Sequence, residues 1–63
     1  MDTMARVKDL AEERSISLHK VSELSGVSYS TLKNTEWRKG QLTVDTIEKI
    51  CKGLGITMSD FFR

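Results

Sequence analysis

Apolar residues recur along this chain at helical spacing, in five short runs separated by Ser, Thr and Gly. Met4, Val7, Leu10 and Ala11 follow one another at intervals of three, three and one, which places them on one face of a helix over about residues 3–14. Asp2 or Thr3 can cap that helix, Ser15 ends it, and Ile16 is placed to plug a core. Leu18, Val21 and Leu24 repeat every three residues, so a second helix is expected over about residues 18–25 with Ser17 as its N-cap. Gly26 stops it, because glycine enters the left-handed conformation of a helix end without steric cost. Val27 is the next apolar plug and Ser28 the next cap. A third helix over about residues 29–37 then turns Leu32 inward and leaves Tyr29, Ser30, Lys33 and Asn34 largely outward.

The remaining runs follow the same logic. Val44, Ile47, Ile50, Cys51 and Leu54 make the apolar face of a fourth helix over about residues 44–54, capped by Thr43 and stopped by Gly55. Asp45 in its first turn complements the positive end of the helix dipole. Thr57 caps a last helix over about residues 58–62, with Asp60 in the capping-box position. The expected fold is all-α, five helices in one domain covering residues 1–63. Its second and third helices are joined by a three-residue turn containing Gly, the spacing of a helix-turn-helix. A second helix with hydrogen-bonding groups on its outer face suits a DNA groove.

Composition narrows the function more by exclusion than by assignment. A chain of 63 residues buries only about 60% of its unfolded surface, so its core leaves a thin margin of stability. One Cys excludes a disulfide framework and a multi-cysteine zinc site, and fits a reducing, cytoplasmic setting. Cys51 falls on the core face of its helix, as a small hydrophobe with no His in register to make it a nucleophile. No apolar run approaches the roughly 20 residues of a membrane span, and no leader pattern is visible. There is no acid pair in a pocket motif, no phosphate loop and no metal-ligand cluster, so no catalytic residue, metal or cofactor is expected. No small-molecule ligand is evident either.

Net charge is only +1, whereas many nucleic-acid binders are strongly basic. Its distribution is biased: Lys20, Lys33, Arg38 and Lys39 outnumber Glu23 and Glu36 by two between Ser17 and Thr43, leaving the remainder at one negative charge.

The segment GVSYSTLKNTE resembles the helix-turn-helix of the lambda-repressor/Cro-like (XRE-type) transcriptional regulators. It has that family's Gly-hydrophobic-Ser turn, inward aliphatic residue and Glu near the helix end. The downstream segment TVDTIEKICKGLGITMSDFF is similar to the family's last two helices, so the resemblance runs from about Val7 to Phe62. It implies that Tyr29, Ser30 and Asn34 reach base edges, with Lys33 and Thr31 as lesser candidates. Asn can bond adenine twice, Lys can donate to guanine, and an aromatic edge can touch a thymine methyl. Phosphate contacts are expected from Ser17, from His19, from Ser28 through its amide, and from Arg38 and Lys39 in the exit loop.

This chain also departs from the family pattern. Leu18 stands where a phosphate-binding Gln is usual, and Ala11 where an Arg usually meets the Glu matching Glu36. Glu36 then has Arg14, Lys33 or water to face. Ser22 replaces a small Ala, with a hydroxyl able to bond back to a carbonyl one turn earlier. Thr35 replaces an aliphatic residue and is expected to loosen packing under the helix. Gly40 is the next residue after Glu36 able to supply a positive φ. Trp37 has three readings, a core anchor, a phosphate donor or a protein contact, of which a core-edge role is favoured.

The resulting expectation is a transcriptional regulator, a repressor, that binds double-stranded operator DNA as a homodimer through Met58 with Phe61 or Phe62. The alternative is a protein-binding module on the same fold, such as an anti-repressor, an antitoxin-like partner or a phage-encoded inhibitor.

Overall fold

The computed structural model describes residues 1–63 and contains five helices and no strand: α1 (Thr3–Glu13), α2 (Leu18–Ser25), α3 (Tyr29–Trp37), α4 (Val44–Leu54) and α5 (Met58–Phe61). α1 ends one residue before the expected Arg14, and α5 one before Phe62. Every helix begins on a short polar residue in an extended conformation. Asp2, Ser17, Ser28, Thr43 and Thr57 accept through their side chains from the amides of Ala5, Lys20, Thr31, Thr46 and Asp60. Each bond satisfies one of the four amides a helix start leaves free, and losing such a cap costs about 1 kcal/mol. At Thr57 the capping box is complete, since the Asp60 carboxylate also accepts from the Thr57 amide at 3.2 Å.

Five side chains, Val7, Val21, Leu32, Ile50 and Phe61, are fully buried, and each helix supplies one of them. Met4, Leu10, Ala11, Ile47 and Cys51 complete the core from the helices, with Val27 and Leu42 entering from the connections. The Cys51 thiol donates to Met58 Sδ at 3.7 Å, and its pKa is pushed up by burial and then by the negative charges of Asp60 and Glu48. Thr35 is buried, and its hydroxyl is satisfied by donating to the Thr31 carbonyl at 2.8 Å.

α4 closes on α2 where a side chain is missing. A Cβ on Gly53 would lie 2.7 Å from the carbonyl carbon and oxygen of Leu24 and 2.8 Å from Ser25 Cα. The end of α2, and with it the turn into α3, is therefore seated on bare backbone. Two polar ties fix the other ends. Thr3 donates through its amide and hydroxyl to Gln41 Oε1 and accepts from the Leu42 amide at 2.8 Å, joining the start of α1 to the segment after α3. Arg6 donates to the carbonyls of Phe61 and Asp60 at 2.7 and 2.8 Å, satisfying acceptors at the end of α5.

Several side chains lie elsewhere than the apolar pattern places them. Leu24 is exposed, because a strict three-residue repeat drifts around a helix of 3.6 residues per turn. Ser25, seven residues after Leu18, returns to the inner face and bonds the Val21 carbonyl instead. Val44 is exposed in the first turn of α4, beyond the reach of the core. Trp37 is 86% exposed and is no core-edge anchor: it ends α3 on the side opposite Leu32. The positive φ after α3 belongs to Lys39 at 55°, not to Gly40, and a second lies at Ser15 at 54°. Of the two phenylalanines, Phe61 fills the core and is closed to any partner chain. Phe62 is about half exposed and packs edge-on against it with ring centroids 5.0 Å apart.

Candidate nucleic-acid interface

The turn between α2 and α3 is held by its own serines. Gly26 takes φ 77° and ends α2, and Val27 drops into the core. The Ser25 hydroxyl accepts from the Val27 amide and donates back to Val21, while Ser22 donates forward to the Val27 carbonyl rather than to the preceding turn. Both polar groups of Val27 are thereby satisfied, and these bonds tie the turn to the end of α2 at the point where α3 begins.

α3 buries Leu32 and Thr35 and exposes Ser30, Thr31, Lys33, Asn34 and Trp37. Ser30, Lys33 and Asn34 share the outer face, three and four residues apart. The hydrogen bonds on α3 are made by Ser28, Thr31, Lys33, Thr35 and Arg38, so the Ser30 hydroxyl and the Asn34 amide stay free for an external partner. The Tyr29 ring is partly buried and stacks on His19, with centroids 3.7 Å apart and planes 7° from parallel. That stack couples the first turns of α2 and α3, an arrangement no one-dimensional spacing shows.

Besides His19, which stacks on Tyr29, the candidate phosphate contacts divide into two sorts. The hydroxyls of Ser17 and Ser28 are occupied as caps, which leaves the amides of the helix starts as the donors that face outward. Arg38 and Lys39 are exposed cations beyond the end of α3, Arg38 making only a long 3.4 Å bond to the Asn34 carbonyl.

Glu36 finds a partner that sequence reasoning missed. It accepts from Lys33 at 2.9 Å on its own helix and from Lys8 on α1, while Arg14 folds onto the Leu10 carbonyl. Lys8 lies three residues before Ala11, on the same face of α1, so the missing Arg is replaced from one turn away. The Lys8 bond, with that of Lys33, holds the Glu36 carboxyl down at about 2, and Glu36 in turn raises the Lys33 pKa. A carboxyl lowered by folding stabilises the folded state above its ordinary range and loses that contribution as pH falls toward about 2. Thermal unfolding of wild type and Glu36→Gln should therefore differ near about pH 6 and converge as the ordinary carboxylate range near about 4 is crossed and left behind. A difference that grows on acidification would contradict the assignment.

No three of the His, Cys, Asp and Glu side chains stand close enough to hold a metal ion, and no helix is long and apolar enough to cross a membrane.

A Gly-stopped helix, a rigid three-residue turn and a second helix with a free polar face define a helix-turn-helix DNA-binding domain. Residues 6–63 match the family model of the Cro/C1-type HTH DNA-binding domain, and the chain belongs to that family, which is not enzymatic. Over 57 residues, 90% of its length, it is 28% identical to the HTH-type transcriptional regulator PuuR of Escherichia coli (strain K12) and, equally, to that of Shigella flexneri. The chain spans 31% of the length of these relatives. No solved structure matches it.

Proposed function

We propose that the chain binds duplex DNA sequence-specifically as a transcriptional repressor, with α3 in the major groove. The observation that carries this reading is the outer face of α3, where Ser30 and Asn34 offer uncommitted hydrogen-bonding groups beside Lys33. Tyr29, braced by His19, flanks that face. Ser17, His19, Ser28, Arg38 and Lys39 supply phosphate contacts around it. Repression needs no more than occupancy of an operator that another protein must use. A second copy, joined through Met58 and the exposed Phe62, reads a half-site about 34 Å away, one turn of the duplex.

Selection of bound sequences from random duplex DNA tests this directly. One two-fold symmetric site should emerge; failure to retain any duplex at low salt would favour the protein-binding module instead. That second reading draws on the exposed Trp37 and the net charge of +1.

The exit-loop cations make a separate prediction. Arg38→Ala or Lys39→Ala should weaken binding to all duplexes about equally and reduce the slope of log affinity against log salt by about one unit. A changed sequence preference at constant slope would move the residue into the base-reading set.

A further inference from the structure

Trp37 is the one large apolar side chain on the outer face of α3. It follows Asn34 by three residues, Lys33 by four and Ser30 by seven, so it continues their stripe to the end of the helix. At 86% exposure the core makes no use of it. A shallow recess beside it is lined by Lys33, Lys39 and Glu36, and that Glu is already neutralised by Lys8 and Lys33. Arg38 is the next residue. The surface around the indole is therefore cationic.

We infer that Trp37 seats against the sugar-phosphate wall of the groove that α3 enters, its indole N–H donating to a phosphate oxygen and its ring covering the deoxyribose. This rests on the DNA-binding reading above. Helix rise decides between wall and base. Trp37 stands about 12 Å along α3 from Tyr29 at 1.5 Å per residue. The major groove is about 12 Å wide, so a helix whose first turn touches base edges has its last turn at the rim. Indole is a donor without an acceptor, matched to a phosphate, and the surrounding cations attract the same group. Those cations also argue against a protein partner, because the cores of protein interfaces are depleted of Lys.

Trp37 is the only Trp in the chain, so its fluorescence reports the contact without labels. The contact carries no sequence information, and sheared double-stranded DNA of mixed sequence at low salt is a sufficient probe. Adding it to the full chain should shift the emission and protect the indole from acrylamide. Trp37→Ala should bind that DNA about tenfold more weakly, the loss of one charge-assisted bond, with an unchanged salt slope because no cation is removed. Trp37→Phe, which keeps a ring but no donor, should fall between. Unmoved emission while a mobility shift shows binding would overturn the inference and leave the DNA-binding reading standing. Emission that responds to protein concentration but not to added DNA would overturn it in favour of a protein contact. Absence of any mobility shift at low salt would overturn both.

Discussion

Gly53→Ala is expected to unfold the domain or bring it to the edge of unfolding. Helix propensity alone would favour Ala here by about 1 kcal/mol, since Gly53 lies inside α4. Packing opposes this and wins. The added methyl would meet three backbone atoms of Leu24 and Ser25 at 2.7–2.8 Å, and backbone cannot rotate out of the way as a side chain can. Overpacking a closed site costs about 1–3 kcal/mol, with more expected where the obstacle is main chain. A domain of this length holds only about 3–9 kcal/mol in all. The displaced element would be the end of α2, so the turn that aims α3 is lost with it. Urea or thermal unfolding followed by circular dichroism should show a large loss of stability. Gly26→Ala and Gly55→Ala, where nothing lies within 4 Å, should cost only the strain of a positive φ, about 1–2 kcal/mol. Equal effects at all three positions would contradict the close approach of α4 to α2.

Phe61→Ala should be about as damaging. Phe61 is fully buried and carries the short α5 onto the rest of the core, and truncating a buried Phe costs about 3–5 kcal/mol. Little of that cavity can close, since α5 is itself anchored by Arg6 at its end. Phe62→Ala, one residue away, exchanges a half-exposed ring and should cost no more than about 1 kcal/mol. Comparing the two by equilibrium unfolding separates the core role of one from the surface role of the other. If the order reversed, the assignment of Phe61 to the core would be wrong, and with it the choice of Phe62 for the partner surface.

These two sites also show where reading a sequence works and where it stops. The caps at Ser17, Ser28, Thr43 and Thr57 and the stop at Gly26 are local, decided within four residues, and the chain spells them out. The inward stripe of α4, Ile47, Ile50 and Cys51 with the partly buried Leu54, is equally plain, because it fits a 3.6-residue period. What escaped depends on other elements. Gly53 looks like a weak point of a helix until Leu24 is brought against it. Arg6 looks like a surface charge until the end of α5 arrives. Lys8 becomes the partner of Glu36 only once α1 crosses α3. Trp37 was expected at the core edge on bulk alone, but its angular position on α3 faces away from Leu32. For the interface, the resemblance named the face, while the free state of Ser30 and Asn34 and the stacking of Tyr29 on His19 required the fold.

Asn34→Ala tests most directly whether the outer face of α3 reads bases. The side chain is exposed and bonds nothing within the protein, so the variant should fold as wild type does. Affinities of both proteins are measured on the selected duplex and on a set with each base pair changed in turn. The variant should lose about 1–3 kcal/mol on the preferred duplex and become indifferent to the identity of one base pair, keeping its preferences elsewhere. A folded Asn34→Ala protein that still discriminates at every position would contradict the assignment, and the same result for Ser30→Ala and Tyr29→Ala would remove α3 from the groove.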